Sequence, residues 1–234
     1  MSTRNDPFGE TAAAGYEAWY QTAPGSRADA LEKTALNRRL QYFLDATTVL
    51  EVGAGTGHFT RWLNTQGLYA VGLDVSSAML KKAQSLDLVP YVRGDAHRLP
   101  FQQNAFDLVA FITTLEFLER DRHALAEALR IADRGLVLGV LNRWSPLGLQ
   151  RQIEGWFRPT IYDAAHFYTV CELRHLLQAL GTALHIDREA EITWHTTLFP
   201  PWWPCKSEGQ PWGGFIAMAL SFNPKRMKKP TKKE

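Results

Sequence analysis

The chain has 234 residues, of which 45% are hydrophobic and 21% charged, ordinary proportions for a soluble globular protein with a real core. Its net charge of +2 belongs to one end. The last twelve residues hold six Lys/Arg and one Glu, which leaves a body of 20 basic and 23 acidic side chains, unlike a nucleic-acid-binding surface. Two cysteines without metal-ligand spacing (Cys171 and Cys205), no apolar leader and no run long enough to cross a bilayer speak against a disulfide framework, a signal peptide and a membrane span. A cytoplasmic location is expected.

In chain order, a short helix carrying Tyr16, Trp19 and Tyr20 is broken at Pro24-Gly25. A second helix, with Leu31, Ala35, Leu36, Leu40, Phe43 and Leu44 at helical spacing, ends near Asp45. Apolar runs and helical patterns then alternate. "TVLEVG" is a strand and "HFTRWLNTQ" a helix; "LYAVGLDV" is a strand and "SAMLKKAQSL" a helix. "PYVRGD" is short and extended, "AFDLVAFIT" a strand, "RHALAEALRIA" a helix and "GLVLGVLN" a strand. Continuous apolar strands between helices imply a parallel sheet covered on both faces. "TVCELRHLLQALG" is a further helix ending at its glycine, and "ALHIDREAEITW" and "GGFIAMALSF" form an antiparallel edge hairpin.

The chemistry concentrates in "VLEVGAGTGHFT", the first strand–helix turn, where ligands of open parallel sheets sit. A triphosphate loop needs Gly-Lys-Ser/Thr at its end, and this one ends Gly57-His58-Phe59. A dinucleotide loop wants a third glycine where His58 stands, so that class is weakened. What remains is G-x-G-x-G opened by Glu51, an acid better matched to an ammonium than to a pyrophosphate.

Glu51-Val-Gly-Ala-Gly-Thr-Gly57 resembles the first motif of the Rossmann-like, class I S-adenosylmethionine-dependent methyltransferases. Its companions follow in order: "VGLDVSSAML", "GDAHRLPF", "FDLVAFITTLEFLE" and, before them all, "YEAWYQTAPG" as an amino-terminal lid. The resemblance covers about residues 16–222 and points to the small-molecule branch called type 11. It implies a doubly wound α/β sheet of seven strands in the order 3-2-1-4-5-7-6, strand 7 antiparallel, and S-adenosyl-L-methionine as cofactor. It further implies that Glu51, Gly53, Ala54 and Gly55 form the loop around the amino acid end. Asp74, followed by Val75, accepts from the ribose hydroxyls. Asp95 receives the adenine amino group, Ala96 offers a backbone donor, Thr113 passes beneath the cofactor, and Tyr16 closes from the lid.

The expected organisation is a helical lid over 1–45, the methyltransferase domain over 46–222 and a disordered basic tail over 223–234. The partner is a small-molecule acceptor, and the protein a monomer or homodimer. The seven histidines show no ligand spacing, so no metal is expected. His97 and His166 lie in segments that should approach the cofactor, and each is either a candidate general base or a structural or exposed histidine. Glu116, Arg143 and Tyr168 are similarly placed candidates, and no catalytic residue is assigned. Cys205 is read as a buried or indifferent cysteine. Trp202, Trp203 and Trp212, in the long connection before the last strand, are expected to wall an apolar or aromatic acceptor pocket, the alternative being that they cover the edge of the sheet or form a dimer contact. Two other classes stay open: a non-catalytic S-adenosylmethionine-binding protein or partner subunit, and a dinucleotide-dependent oxidoreductase.

Overall fold

A computed structural model describes residues 9–145, 165–184, 190–199 and 209–222. The basic tail, Cys205, Trp202 and Trp203 lie outside the described residues. Two helices, α1 (Glu10–Tyr20) and α2 (Ala23–Leu40), precede β1 (Thr48–Val52), α3 (His58–Thr65), β2 (Tyr69–Asp74), α4 (Ser77–Leu86) and β3 (Tyr91–Arg93). Then come β4 (Phe106–Ile112), a 3-10 turn (Leu115–Phe117), α5 (Asp121–Ile131), β5 (Ala132–Leu141), α6 (Val170–Ala183), β6 (Glu191–Thr197) and β7 (Phe215–Ser221).

The strands form one sheet in the order β3-β2-β1-β4-β5-β7-β6, as the resemblance implies. β1 to β5 pair in parallel, and β7 inserts antiparallel between β5 and β6. Side chains alternate across a strand, so the two faces can be read off β1. Leu50 and Val52 join Leu125, Leu129 and Leu173 beneath α5 and α6. Val49 joins Leu36, Phe59 and Leu63 beneath α2 and α3. Glu51 therefore shares the α3 side of the sheet. Leu36, Leu50, Leu63 and Leu125 are fully buried, and each such side chain stabilises the fold by about 1.5–3 kcal/mol relative to exposure.

The helix break differs from the sequence expectation. Pro24 and Gly25 lie in the first turn of α2, and the chain breaks at Gln21-Thr22 instead. Thr22 caps the helix, its Oγ1 accepting from Gly25 N at 3.1 Å. Proline costs nothing in a first turn, where no intrahelical partner awaits its missing N–H. A Cβ on Gly25 would sit 2.0 Å from Trp19 O, so glycine here lets α2 start tight against α1. α2 also stops at Leu40, short of Asp45, and α6 runs through Gly181 to Ala183. At the far edge of the sheet from the strands' carboxyl ends, Asp107 Oδ2 accepts from Thr47 N (2.7 Å) and Thr48 N (3.0 Å), while Arg134 holds Oδ1 at 2.7 Å.

Candidate functional site

Past Val52 the chain turns through three left-handed glycines, Gly53, Gly55 and Gly57, with φ of 76°, 55° and 81°. The N–H groups of Gly53 and Ala54 both donate to Leu73 O, at 2.7 and 2.9 Å, which ties the turn to β2. A Cβ on Gly53 would lie 2.1 Å from Thr114 Cγ2, whereas one on Gly55 would meet nothing within 4 Å. Gly53 is thus needed for packing, and Gly55 faces open space where a ligand can approach the backbone.

That space is a cavity of about 600 Å³ across the carboxyl ends of β1 to β4. Eight of the ten residues singled out in the sequence line it: Tyr16, Gly53, Gly55, Asp74, Val75, Asp95, Ala96 and Thr113. Ala54 is buried in the turn and Glu51 beneath it, and neither is on the wall. Glu51 is 1% exposed, and its Oε2 accepts from the Thr60 hydroxyl of α3. Burial pushes its carboxyl up to about 8, against the opposing pull of the Thr60 hydroxyl.

Asp74 organises the mouth of the cavity. Its Oδ2 accepts from Gly55 N and its Oδ1 from Ser76 N, both at 2.8 Å. One carboxylate thereby joins the glycine turn to the start of α4. Burial raises its pKa, and the N–H groups of Ser76 and Gly55 only partly offset that. Thr113 adopts φ 50°, an outlier for a β-branched residue, with its N–H held by Gly139 O at 2.7 Å. Such a conformation costs about 1–3 kcal/mol and clusters at functional sites. Next to it, Thr114 Oγ1 donates within reach of Gly53 O (3.2 Å) and Ile112 O (3.1 Å).

α1 is fastened onto the glycine turn. Glu17 takes both oxygens to Arg61 Nη2 of α3 at 3.0 Å and accepts from the Thr56 hydroxyl. Tyr20 stacks on His58, with centroids 3.6 Å apart and planes 6° off parallel. His58 Nε2 lies 2.7 Å from Asp29 Oδ1. Of the three aromatics Tyr16, Trp19 and Tyr20 of α1, only Tyr16 reaches the cavity; Tyr20 is buried and Trp19 exposed.

Of the candidate acid–base groups, only His97 is on the cavity wall. Tyr168 donates its hydroxyl to Asp121 Oδ2 at 2.8 Å, and Arg143 pairs with Glu172 at 2.9 Å. Glu116 is buried with its Oε1 accepting from Leu141 N at 2.6 Å, and His166 donates its backbone N–H to Glu116 O at 2.7 Å. Trp212 is half exposed and pairs with Trp144, centroids 6.3 Å apart and planes at 48°. Wall residues not foreseen include Met79, Thr114, Phe117, Leu118, Glu119 and Arg120. Met79 reads as ordinary helix core, and the stretch after β4 has no periodicity to expose it; only its apolar "FL" pair was a signal. Among the described residues no three His, Cys, Asp or Glu could hold a metal ion, and no helix is long and apolar enough to cross a membrane.

Residues 50–138 match the family profile described as "Methyltransferase domain". An uncharacterized protein of Methanocaldococcus jannaschii is 31% identical over 134 residues, 56% of this chain and 62% of its own. A demethylmenaquinone methyltransferase of Renibacterium salmoninarum is 40% identical over 89 residues, 37% of each chain. The matches thus span less than two thirds of these relatives. Among solved structures, a methyltransferase of Thermotoga maritima described as a possible histamine N-methyltransferase superposes with a TM-score of 0.71. It has 24% identity and covers 92% of this chain and 97% of its own, a likeness of fold.

Proposed function

We propose that this chain, whose residues 50–138 match the methyltransferase-domain profile, is an S-adenosylmethionine-dependent methyltransferase acting on a small-molecule acceptor. One observation carries the reading: a cavity of about 600 Å³ bounded by a left-handed glycine turn, a strand-end carboxylate and a second acid on β3's exit. Its volume suits an adenosyl compound with room beside it. The open side of Gly55 fits the close approach of an amino acid end. Each Asp74 oxygen has a second lone pair beyond its bond to the turn, so the carboxylate can take ribose hydroxyls without releasing Gly55 or Ser76.

Bound S-adenosylmethionine supplies an activated methyl group on a sulfonium. The protein's work is then to bind, orient and keep water out. In this reading Asp74, Val75, Asp95 and Ala96 hold the nucleoside, and the turn from Gly53 to Gly55 holds the amino acid end. Glu51 acts from below the turn as a buried acid that a nearby ammonium would drive to ionise. Thr113 floors the site. α1, within a lid spanning 1–45, closes it through Tyr16, and residues 46–222 form the catalytic domain. Val52, Leu73, Met79, Phe117 and Leu118 make the walls largely apolar, as desolvation of the reacting atoms requires.

An apolar or aromatic acceptor is supported by the exposed Trp144–Trp212 pair beyond the end of β5 and by the substrate named for the demethylmenaquinone relative. The reading is tested by incubating the full chain with methyl-labelled S-adenosylmethionine and a panel of quinones, phenols, amines and small acids. Label in one small molecule, matched by S-adenosylhomocysteine, is expected. Tight cofactor binding with no turnover across the panel would favour a non-catalytic binding protein.

A further inference from the structure

The exit of β3 carries an arrangement that the proposed function does not by itself require. Asp95 Oδ1 accepts twice from the same residue, from His97 N at 2.9 Å and from His97 Nδ1 at 2.7 Å. Arg98 N donates to Asp95 O at 3.0 Å and closes the turn. The Asp95 side chain is 58% exposed and would otherwise be free to rotate; the His97 side chain is 15% exposed and held. The His97 ring lies 6.1 Å from that of His123 across a 37° tilt. Its Nε2 is buried without a partner among the described residues.

With Oδ1 fully engaged, Oδ2 is the acceptor left for a ligand, and among the described residues it receives no hydrogen bond. Beside it, Ala96 N–H likewise has no partner among the described residues, and both residues line the cavity. The His97 N–H, against slight desolvation, keeps the Asp95 carboxyl below its usual range, so the group is an acceptor only. A fixed acceptor next to a fixed donor matches a 6-aminopurine, whose amino group donates and whose N1 accepts. A 6-oxopurine presents the reverse, an acceptor at position 6 and a donor at N1, and would set acceptor against acceptor.

We propose that His97 is a positioning residue that locks the Asp95 carboxylate and thereby makes the cavity select a 6-amino over a 6-oxo purine nucleoside. The inference rests on the reading of the cavity as an adenosyl site. His97 acts through Asp95, and a merely structural role would weaken both kinds of ligand alike.

The test is calorimetric affinity of the full chain and its variants for S-adenosylhomocysteine and for its 6-oxo analogue, S-inosylhomocysteine. The wild type is expected to favour the amino compound at least tenfold. His97→Ala should cut that ratio about three- to tenfold through weaker binding of the amino compound alone. His97→Asn, which keeps a side-chain donor two residues after the acid, should restore most of it. Asp95→Ala should abolish most of the preference. A wild-type ratio in folded His97→Ala and His97→Asn, together with a lost ratio in Asp95→Ala, would overturn the role of His97 and leave Asp95 as the base reader. An undiminished ratio in Asp95→Ala would remove the base reading itself, and the role of His97 with it. Failure of the wild type to bind either compound would overturn the adenosyl reading from which the inference proceeds.

Discussion

Replacing Asp74 by asparagine changes one atom and separates two tasks of the same side chain. The carboxylate holds Gly55 N through Oδ2 and Ser76 N through Oδ1, both at 2.8 Å. An amide offers one oxygen, so one N–H loses its partner and faces an NH2 donor. Hydrogen bonds to a charged acceptor are worth about 1.5–3 kcal/mol, and a stranded buried donor costs about 1–3 kcal/mol. The raised pKa of Asp74 opposes this, since burial penalises the charge by more than the backbone N–H groups of Ser76, Gly55 and Val75 return. Removing the charge recovers part of the loss, so the net destabilisation at neutral pH should be about 1–2 kcal/mol. For a domain of this size that is a fall in Tm of about 2–8 °C. Cofactor affinity should fall further, by about 1.5–3 kcal/mol or roughly 10- to 150-fold, as the ribose acceptor weakens and the turn loosens. Calorimetric titration and thermal unfolding on the same preparation read both. An unchanged dissociation constant in a folded Asp74→Asn protein would refute the ribose role, and an unchanged Tm would refute the clamp on the turn.

Because Glu51 is held up to about 8 in the fold against 4.5 for a free carboxyl, the folded chain keeps a proton that the unfolded chain releases. The stability this confers is fully present below about pH 4.5 and is lost as pH rises through 8; Glu51→Gln should flatten that slope in urea unfolding measured from pH 5 to 9, and an unaltered slope would count against the buried neutral acid. Glu17→Ala frees α1 from Arg61 and Thr56, a partly buried bidentate pair worth ~1 kcal/mol. Cofactor release followed by stopped flow should then be about fivefold faster, and an unchanged rate would sink the idea that α1 is a lid. Trp212→Ala should raise KM for an identified acceptor about tenfold while cofactor affinity stays within twofold, at the scale of a lost aromatic contact; an equal loss in both would put Trp212 outside acceptor binding.

Much of the fold was legible because buried parallel strands and amphipathic helices write their own periods into the chain. "SAMLKKAQSL" is α4 to the residue, and the edge hairpin inserts β7 beside β5 as the resemblance implies. The helix break was misread because Pro-Gly signals a turn wherever it stands, and only the Thr22 cap tells that it opens a helix. The side taken by Glu51 was readable in principle. Strand alternation pairs it with Val49, on the α3 face, but a five-residue strand ending in glycines invites attention to the ligand side alone. Thr114 and the stretch Phe117–Arg120 line the cavity just past Thr113, whose positive φ no residue pattern announces. The bond from His97 to Asp95 was equally hidden, since a histidine two residues after an acid is common and its meaning depends on which way the ring points.

The central claim is that the cavity at the ends of β1 to β4 takes an adenosyl amino acid and not a dinucleotide, and direct titration tests it most simply. Calorimetry of the full chain should show one site for S-adenosylmethionine and for S-adenosylhomocysteine, with little or no heat from NAD. Tight binding of NAD with no response to either adenosyl compound would contradict the account at its root.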